Sequence, residues 1–238
     1  MQTETRTVET PDGEMPVYVA HPDEQPSRAV IVIQEAFGVN DHIQDVTRRA
    51  AQAGYLAVAP HIFHRSGGGV VAYGDMEAVM SHFKVLGDKA FLQDLDATLG
   101  LIHGEGISDG SIGITGFCIG GRMTFLAAAE RPLGAAVSYY GGGIVPSRSE
   151  AMPSLLGAVP HLRAPWLGFF GELDKGIPLE EVEQLRDALK AAPVEHEIVL
   201  YANAGHGFNR DPAPEAYQPE AAADAWKRAL AWFGDHLA

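Results

Sequence analysis

Ser111-Ile112-Gly113-Ile114-Thr115-Gly116-Phe117-Cys118-Ile119-Gly120-Gly121 is the stretch on which the fold turns. Ser111–Thr115 reads as a short apolar strand, and a helical pattern runs from about Ile119 to Glu130. Between them lies G-x-C-x-G. A glycine-framed nucleophile between a strand and a helix marks a tight turn that lifts one side chain above the carboxyl end of the strand. Neighbours in such a turn must be small, which accounts for Gly116 and Gly120. A G-x-G-x-x-G cofactor loop is the rival reading, and it fails because position 118 is not glycine. Free cysteines are usually buried. The glycine frame reverses that expectation for Cys118, because a helix N-terminus favours a thiolate and the Ile119 N–H points where an oxyanion would form.

Outward from this turn, strands and helices alternate. Thr5–Thr10 and Met15–His21 read as two strands joined by Pro11-Asp12-Gly13 turn chemistry. Ala29–Gln34 is a continuous apolar run of the kind buried on both faces. A helix follows over Asp41–Ala53, capped at Asn40 or Asp41 and stopped by Gly54. Tyr55–Ala59, Ala135–Tyr140, Trp166–Gly171 and Val194–Tyr201 are further strands. Helical patterns cover about 76–86, 89–103 and 179–191. Trp226, Leu230, Phe233 and Leu237 share one face of a C-terminal helix. The segments 65–75 and 141–164 read as loops, the second with at most one helical turn. This alternation predicts a mostly parallel sheet of about eight strands with helices on both faces, and no linker divides residues 1–238 into separate domains. Ligands of such sheets sit beyond the carboxyl ends of the strands.

Composition narrows the function. With 17 basic and 31 acidic side chains, the formal charge of the 238-residue chain is −14. An acidic surface repels phosphate backbones and anionic lipid, which argues against nucleic-acid and membrane partners. The N-terminal residues lack an apolar signal core, and no run is long enough to span a bilayer. One cysteine excludes an intrachain disulfide and fits a reducing cytosol, so a cytoplasmic location is expected.

A nucleophile at position 118 needs an imidazole and an orienting carboxylate later in the chain. Of ten histidines, His21, His42, His82, His103 and His196 lie in or beside predicted elements without a supporting signature. His206 sits in Ala204-Gly205-His206-Gly207-Phe208, a glycine-flanked loop after the last strand. Gly171-Glu172-Leu173-Asp174 follows the Trp166–Gly171 strand and offers Asp174, with Glu172 as a rival acid. His61-Ile62-Phe63-His64 has an H-x-x-H spacing but no third ligand, so no metal is expected.

Together, Gln34-Glu35-Ala36-Phe37-Gly38, Gly116-Phe117-Cys118-Ile119-Gly120-Gly121, Gly171-Glu172-Leu173-Asp174 and Gly205-His206-Gly207-Phe208 resemble the dienelactone hydrolase family of α/β-hydrolases, in family order and over essentially the whole chain. The resemblance implies an α/β-hydrolase fold and a Cys118–Asp174–His206 triad, with Asp174 preferred over Glu172. It also implies that Glu35 pairs with Arg210 at rest, leaving Cys118 a neutral thiol, and takes the thiol proton once substrate releases it. Backbone N–H groups of Ala36 and Ile119 would form the oxyanion hole. Members that act on dienelactone place a substrate-binding arginine and tyrosine after the fourth strand. Here no arginine lies between Arg65 and Arg122, which leaves Arg65 and Tyr73 as candidates for substrate contact. The implied activity is hydrolysis of a small ester or lactone through a thioester, without a cofactor. Carboxylesterase, thioesterase or a non-catalytic binding role on the same fold are the alternatives.

Overall fold

The computed structural model describes residues 1–238. Its strands are β1 (Gln2–Thr10), β2 (Gly13–His21), β3 (Ala29–Ile33), β4 (Leu56–Pro60), β5 (Ile112–Phe117), β6 (Ala135–Tyr139), β7 (Trp166–Gly171) and β8 (His196–Tyr201). The helices are α1 (Asp41–Gln52), α2 (Met76–Phe83), α3 (Asp88–Gly104), α4 (Ile119–Glu130), α5 (Leu179–Leu189) and α6 (Pro219–His236). All eight strands join one sheet in the order β1-β2-β4-β3-β5-β6-β7-β8. The β1–β2 hairpin pairs antiparallel with itself and with β4, and every pairing from β4 through β3 to β8 is parallel. The expected mixed sheet is therefore present.

Side-chain alternation along β5 shows that helices cover both faces. A Cβ at Gly113 would strike the Phe233 ring of α6, whereas one at Gly116 would strike Gly120 and Thr124 of α4. Positions 113 and 116 lie on opposite faces of a strand, so α6 and α4 sandwich the sheet. All residues of β3, β4, β5, β6 and β7 are buried, which explains why their sequences are continuous apolar runs rather than alternating ones.

Local signals set the helix ends. The Asn40 side chain accepts from the Ile43 N–H at 3.1 Å at the start of α1, and Gly54 beyond its end has φ +97°. α2 stops at Phe83, a little short of the predicted helix. The 141–164 segment holds more helix than its sequence suggested, since Leu156–His161 forms a six-residue 3-10 helix. That segment contains Pro160, and 3-10 turns have no 3.6-residue apolar stripe to betray them.

No helix is long and apolar enough to cross a membrane.

Candidate active site

The sharpest local feature is the backbone at Cys118. It has φ 56° and ψ −118°, and only one other non-glycine residue, Tyr140, has a positive φ (37°). L-residues are sterically strained there, so such a conformation persists only where the surroundings enforce it. At Cys118 the enforcement is visible. A Cβ at Gly120 would lie 2.5 Å from the Gln34 carbonyl oxygen and 2.6 Å from that of Ile33, and one at Gly116 would lie 2.6 Å from Thr124 Oγ1. The Cys118 N–H is tied to the Tyr139 carbonyl at 3.0 Å. Strand β5, the start of α4 and the end of β3 thus close around the turn and leave Cys118 only partly buried. As first residue of α4, Ile119 has no intrahelical acceptor for its N–H, and the Ala36 N–H has none within the protein either.

His206 stands on the glycine-flanked loop after β8. Its Nδ1 lies 2.7 Å from Asp174 Oδ2. Asp174 is buried, and its Oδ1 accepts the N–H groups of Gly176 at 2.8 Å and Ile177 at 3.2 Å. Asp174 does not cap α5, which starts several residues later after Pro178. Glu172 is exposed. Burial alone would lower the imidazole, but the Cys118 sulfur and the Asp174 carboxylate outweigh it and push His206 up to about 10. Burial likewise lifts the thiol, but the attraction of His206, with help from Arg148, more than offsets it and brings Cys118 below its ordinary value. Glu35 opposes that shift.

Glu35 is fully buried where β3 gives way to α1. Arg210 grips it with both arms of its fork, Nε to Oε2 at 2.8 Å and Nη2 to Oε1 at 3.1 Å. The Tyr140 hydroxyl adds a bond to Oε1 at 3.2 Å. Burial pushes the guanidinium down, and Glu35 more than reverses this and holds Arg210 firmly charged. Its guanidinium also sits over the rings of Phe37 (5.0 Å) and Tyr73 (5.2 Å), a cation–π arrangement. Asn40 Nδ2 donates to the Tyr73 hydroxyl at 3.1 Å.

Of the two substrate-contact candidates, Tyr73 is at this site and Arg65 is not. Arg65 is engaged by Asp12 and Asp94, at 2.6 and 2.7 Å, and His64 of the H-x-x-H pair also bonds to Asp94. Two residues escaped sequence reasoning. Tyr140 reads as the last apolar residue of a strand, and its bond to Glu35 joins segments far apart in the chain, which no periodicity reveals. Arg148 lies in a loop without pattern. It has no carboxylate partner, donates from Nε to the Gly142 carbonyl at 3.0 Å, and brings its charge to bear on Cys118. Two open clefts elsewhere, about 580 Å³ beside Tyr201 and Asp224 and about 630 Å³ beside Arg65 and Lys84, contain none of Cys118, Asp174, His206 and Glu35.

The sequence model of the dienelactone hydrolase family matches residues 15–237. The chain belongs to the dienelactone hydrolase family. Within this family it is 42% identical over 234 residues to a Yersinia pestis protein named provisionally as a carboxymethylenebutenolidase, covering 97% of this chain and 87% of that one. It is 28% identical to the carboxymethylenebutenolidase of Pseudomonas putida over 235 residues, covering 97% and 95% of the two chains. Among solved structures, a Klebsiella pneumoniae protein named provisionally as a dienelactone hydrolase superposes with a TM-score of 0.89 at 39% identity, over 98% of this chain and 99% of that one. The protein is thus a hydrolase of the dienelactone hydrolase family with an α/β-hydrolase fold.

Proposed function

We propose that the protein cleaves a small ester or lactone through a thioester on Cys118, as a carboxymethylenebutenolidase-type hydrolase of the cytoplasm. The observation that carries this reading is the strained, partly exposed Cys118 at the start of α4, whose thiol His206 lowers, with Asp174 holding that ring from behind at 2.7 Å. The thiolate attacks the carbonyl carbon, and the resulting oxyanion rests on the N–H groups of Ile119 and Ala36. Protonated His206 gives its proton to the leaving alkoxide as the C–O bond breaks. Water then attacks the thioester while His206 takes its proton, and the sulfur leaves as thiolate. Asp174 fixes the ring with Nδ1–H toward itself and Nε2 toward the sulfur. Neither a metal nor a cofactor enters these steps.

Glu35 receives the thiol proton when substrate loosens it from Arg210, so the resting sulfur stays protected from oxidation and alkylation. A second reading hands that proton to His206 at rest, and the lowered thiol and raised imidazole favour it. Glu35→Gln separates the two: if Glu35 is the acceptor, alkylation of Cys118 by iodoacetamide rises with ligand in wild type and not in Glu35→Gln, whereas if His206 holds the proton at rest, alkylation is fast without ligand in both. Cys118→Ala is expected to abolish turnover of p-nitrophenyl esters and lactones, and full activity in that variant would end the proposal. Testing esters, lactones and acyl-thioesters side by side defines the substrate class. An enzyme inactive on all of them, with an inert thiol, would point to a binding protein that kept the fold.

A further inference from the structure

The Glu35–Arg210 pair joins two loops, one between β3 and α1 and the other after β8. A second link joins the same loops. His42, in the first turn of α1, places Nδ1 3.0 Å from Asp211 Oδ1, and Asp211 is the residue after Arg210. Arg49, further along α1, donates from Nη2 to Asp211 Oδ2 at 2.6 Å, and its guanidinium is braced in turn by Asp45. Both oxygens of Asp211 are therefore committed to α1. The His42 side chain has no exposure at all, and its ring meets Phe117, the residue before Cys118, edge to face at 6.2 Å.

This arrangement is not what packing alone would select. His42 Nε2 is buried without a hydrogen-bond partner, and a buried nitrogen left unpaired costs stability that an apolar ring would not. The ring makes its polar contact only through Nδ1, with Asp211. Burial pushes the Asp211 carboxyl up, yet Arg49 and His42 outweigh it and keep it below the usual carboxylate range. Asp211 stays an anion fixed on α1.

We propose that the His42–Asp211–Arg49 cluster is a positioning clasp for the Glu35–Arg210 latch, holding the Arg210 backbone against α1 so that the guanidinium meets Glu35 at rest and finds it again after each turnover. The clasp touches neither substrate nor sulfur. It rests on the proposed role of Glu35 as the acceptor of the thiol proton.

The experiment measures the iodoacetamide alkylation rate of Cys118 in the ligand-free full-length protein, in wild type, Asp211→Asn, Arg49→Gln and Glu35→Gln, and in Asp211→Asn/Glu35→Gln. Arg49 is a surface residue of α1, so Arg49→Gln keeps the test alive should Asp211→Asn fold poorly. Loosening the clasp frees Glu35 to take the thiol proton without substrate. Resting alkylation is expected to rise about tenfold in Asp211→Asn, equivalent to one pKa unit on the thiol, and in the same direction but less in Arg49→Gln. In the Glu35→Gln background the Asp211→Asn effect is expected to vanish, since residues that act through one another are not additive. Unchanged or slower alkylation in both clasp variants overturns the proposal, and so does a rise that survives intact in the Glu35→Gln background, which marks a merely structural role. If Glu35→Gln leaves ligand-triggered alkylation intact, the latch itself is refuted and the clasp falls with it. Wild-type turnover of p-nitrophenyl acetate reports separately on the hydrolase reading.

Discussion

Replacing Asp174 by asparagine is expected to damage the enzyme more than replacing it by alanine, and the reason lies in which oxygen does what. Oδ1 accepts two backbone N–H groups, from Gly176 and Ile177, while Oδ2 faces His206 Nδ1 at 2.7 Å. An asparagine must keep its oxygen on the Oδ1 side, because turning the amide would point N–H groups at two N–H donors. Each donor left without a partner there costs about 1–3 kcal/mol. The NH2 group is thereby aimed at His206 Nδ1 and forces the tautomer with the proton on Nε2. That tautomer cannot accept a proton from the thiol or from water. A triad locked in the wrong tautomer loses about 10⁴ in kcat, roughly 5 kcal/mol of barrier. Alanine removes the orienting carboxylate but leaves both tautomers open, so its rate should exceed that of the asparagine variant by about tenfold, roughly 1.4 kcal/mol of barrier. The assay is kcat/KM on a p-nitrophenyl ester for both variants, with thermal melting as a control. Asp174→Asn keeps the two backbone bonds, so its Tm is expected within about 4 °C of wild type, the shift for roughly 1 kcal/mol at this size. An asparagine variant within tenfold of wild type, or one faster than the alanine variant, would refute the reasoning.

Three further outcomes follow from the same geometry. On the reading that hands the thiol proton to His206 at rest, His206 titrates near 10 by NMR and falls in Cys118→Ser, because the sulfur is the strongest of the influences that raise it; a markedly lower value in wild type would favour the neutral resting thiol and Glu35 as acceptor. Since this raised value lies above the unfolded one of about 6.5, its contribution to stability is full below about pH 6.5 and is lost as pH rises through about 10; His206→Gln should flatten that part of the denaturation-versus-pH curve, and an unaltered curve would contradict the assignment. Gly120→Ala puts a methyl against the carbonyl oxygens of Ile33 and Gln34, with an expected loss of about 1–3 kcal/mol or more in urea denaturation, together with loss of turnover as the loop bearing Glu35 is displaced; wild-type stability and activity in that variant would show that the turn has room to spare. Removing the Arg148 charge in Arg148→Gln should move the pH midpoint of Cys118 alkylation upward, and the difference should fade near 1 M salt, where screening acts over about 3 Å; equal midpoints at low salt would remove Arg148 from the electrostatics of the sulfur.

Much of this molecule is legible along the chain because the relevant physics is local. Apolar runs such as Ala29–Ile33 announce strands buried on both faces, Asn40 announces a helix start, and Gly116 and Gly120 announce a turn that tolerates no side chain. Asp174 and His206 each follow a strand that ends at the same edge of a parallel sheet, but position alone does not separate Asp174 from Glu172; only the family resemblance does. Whether their side chains meet is a different matter, settled by the order in which strands pair and by backbone angles at single residues. The Tyr140–Glu35 bond, the diversion of Arg65 to Asp12 and Asp94, the unpaired charge of Arg148 and the His42–Asp211 contact all depend on how distant segments come together. Periodicity carries no information about such encounters, because it records which face a residue occupies and not which distant loop folds over it.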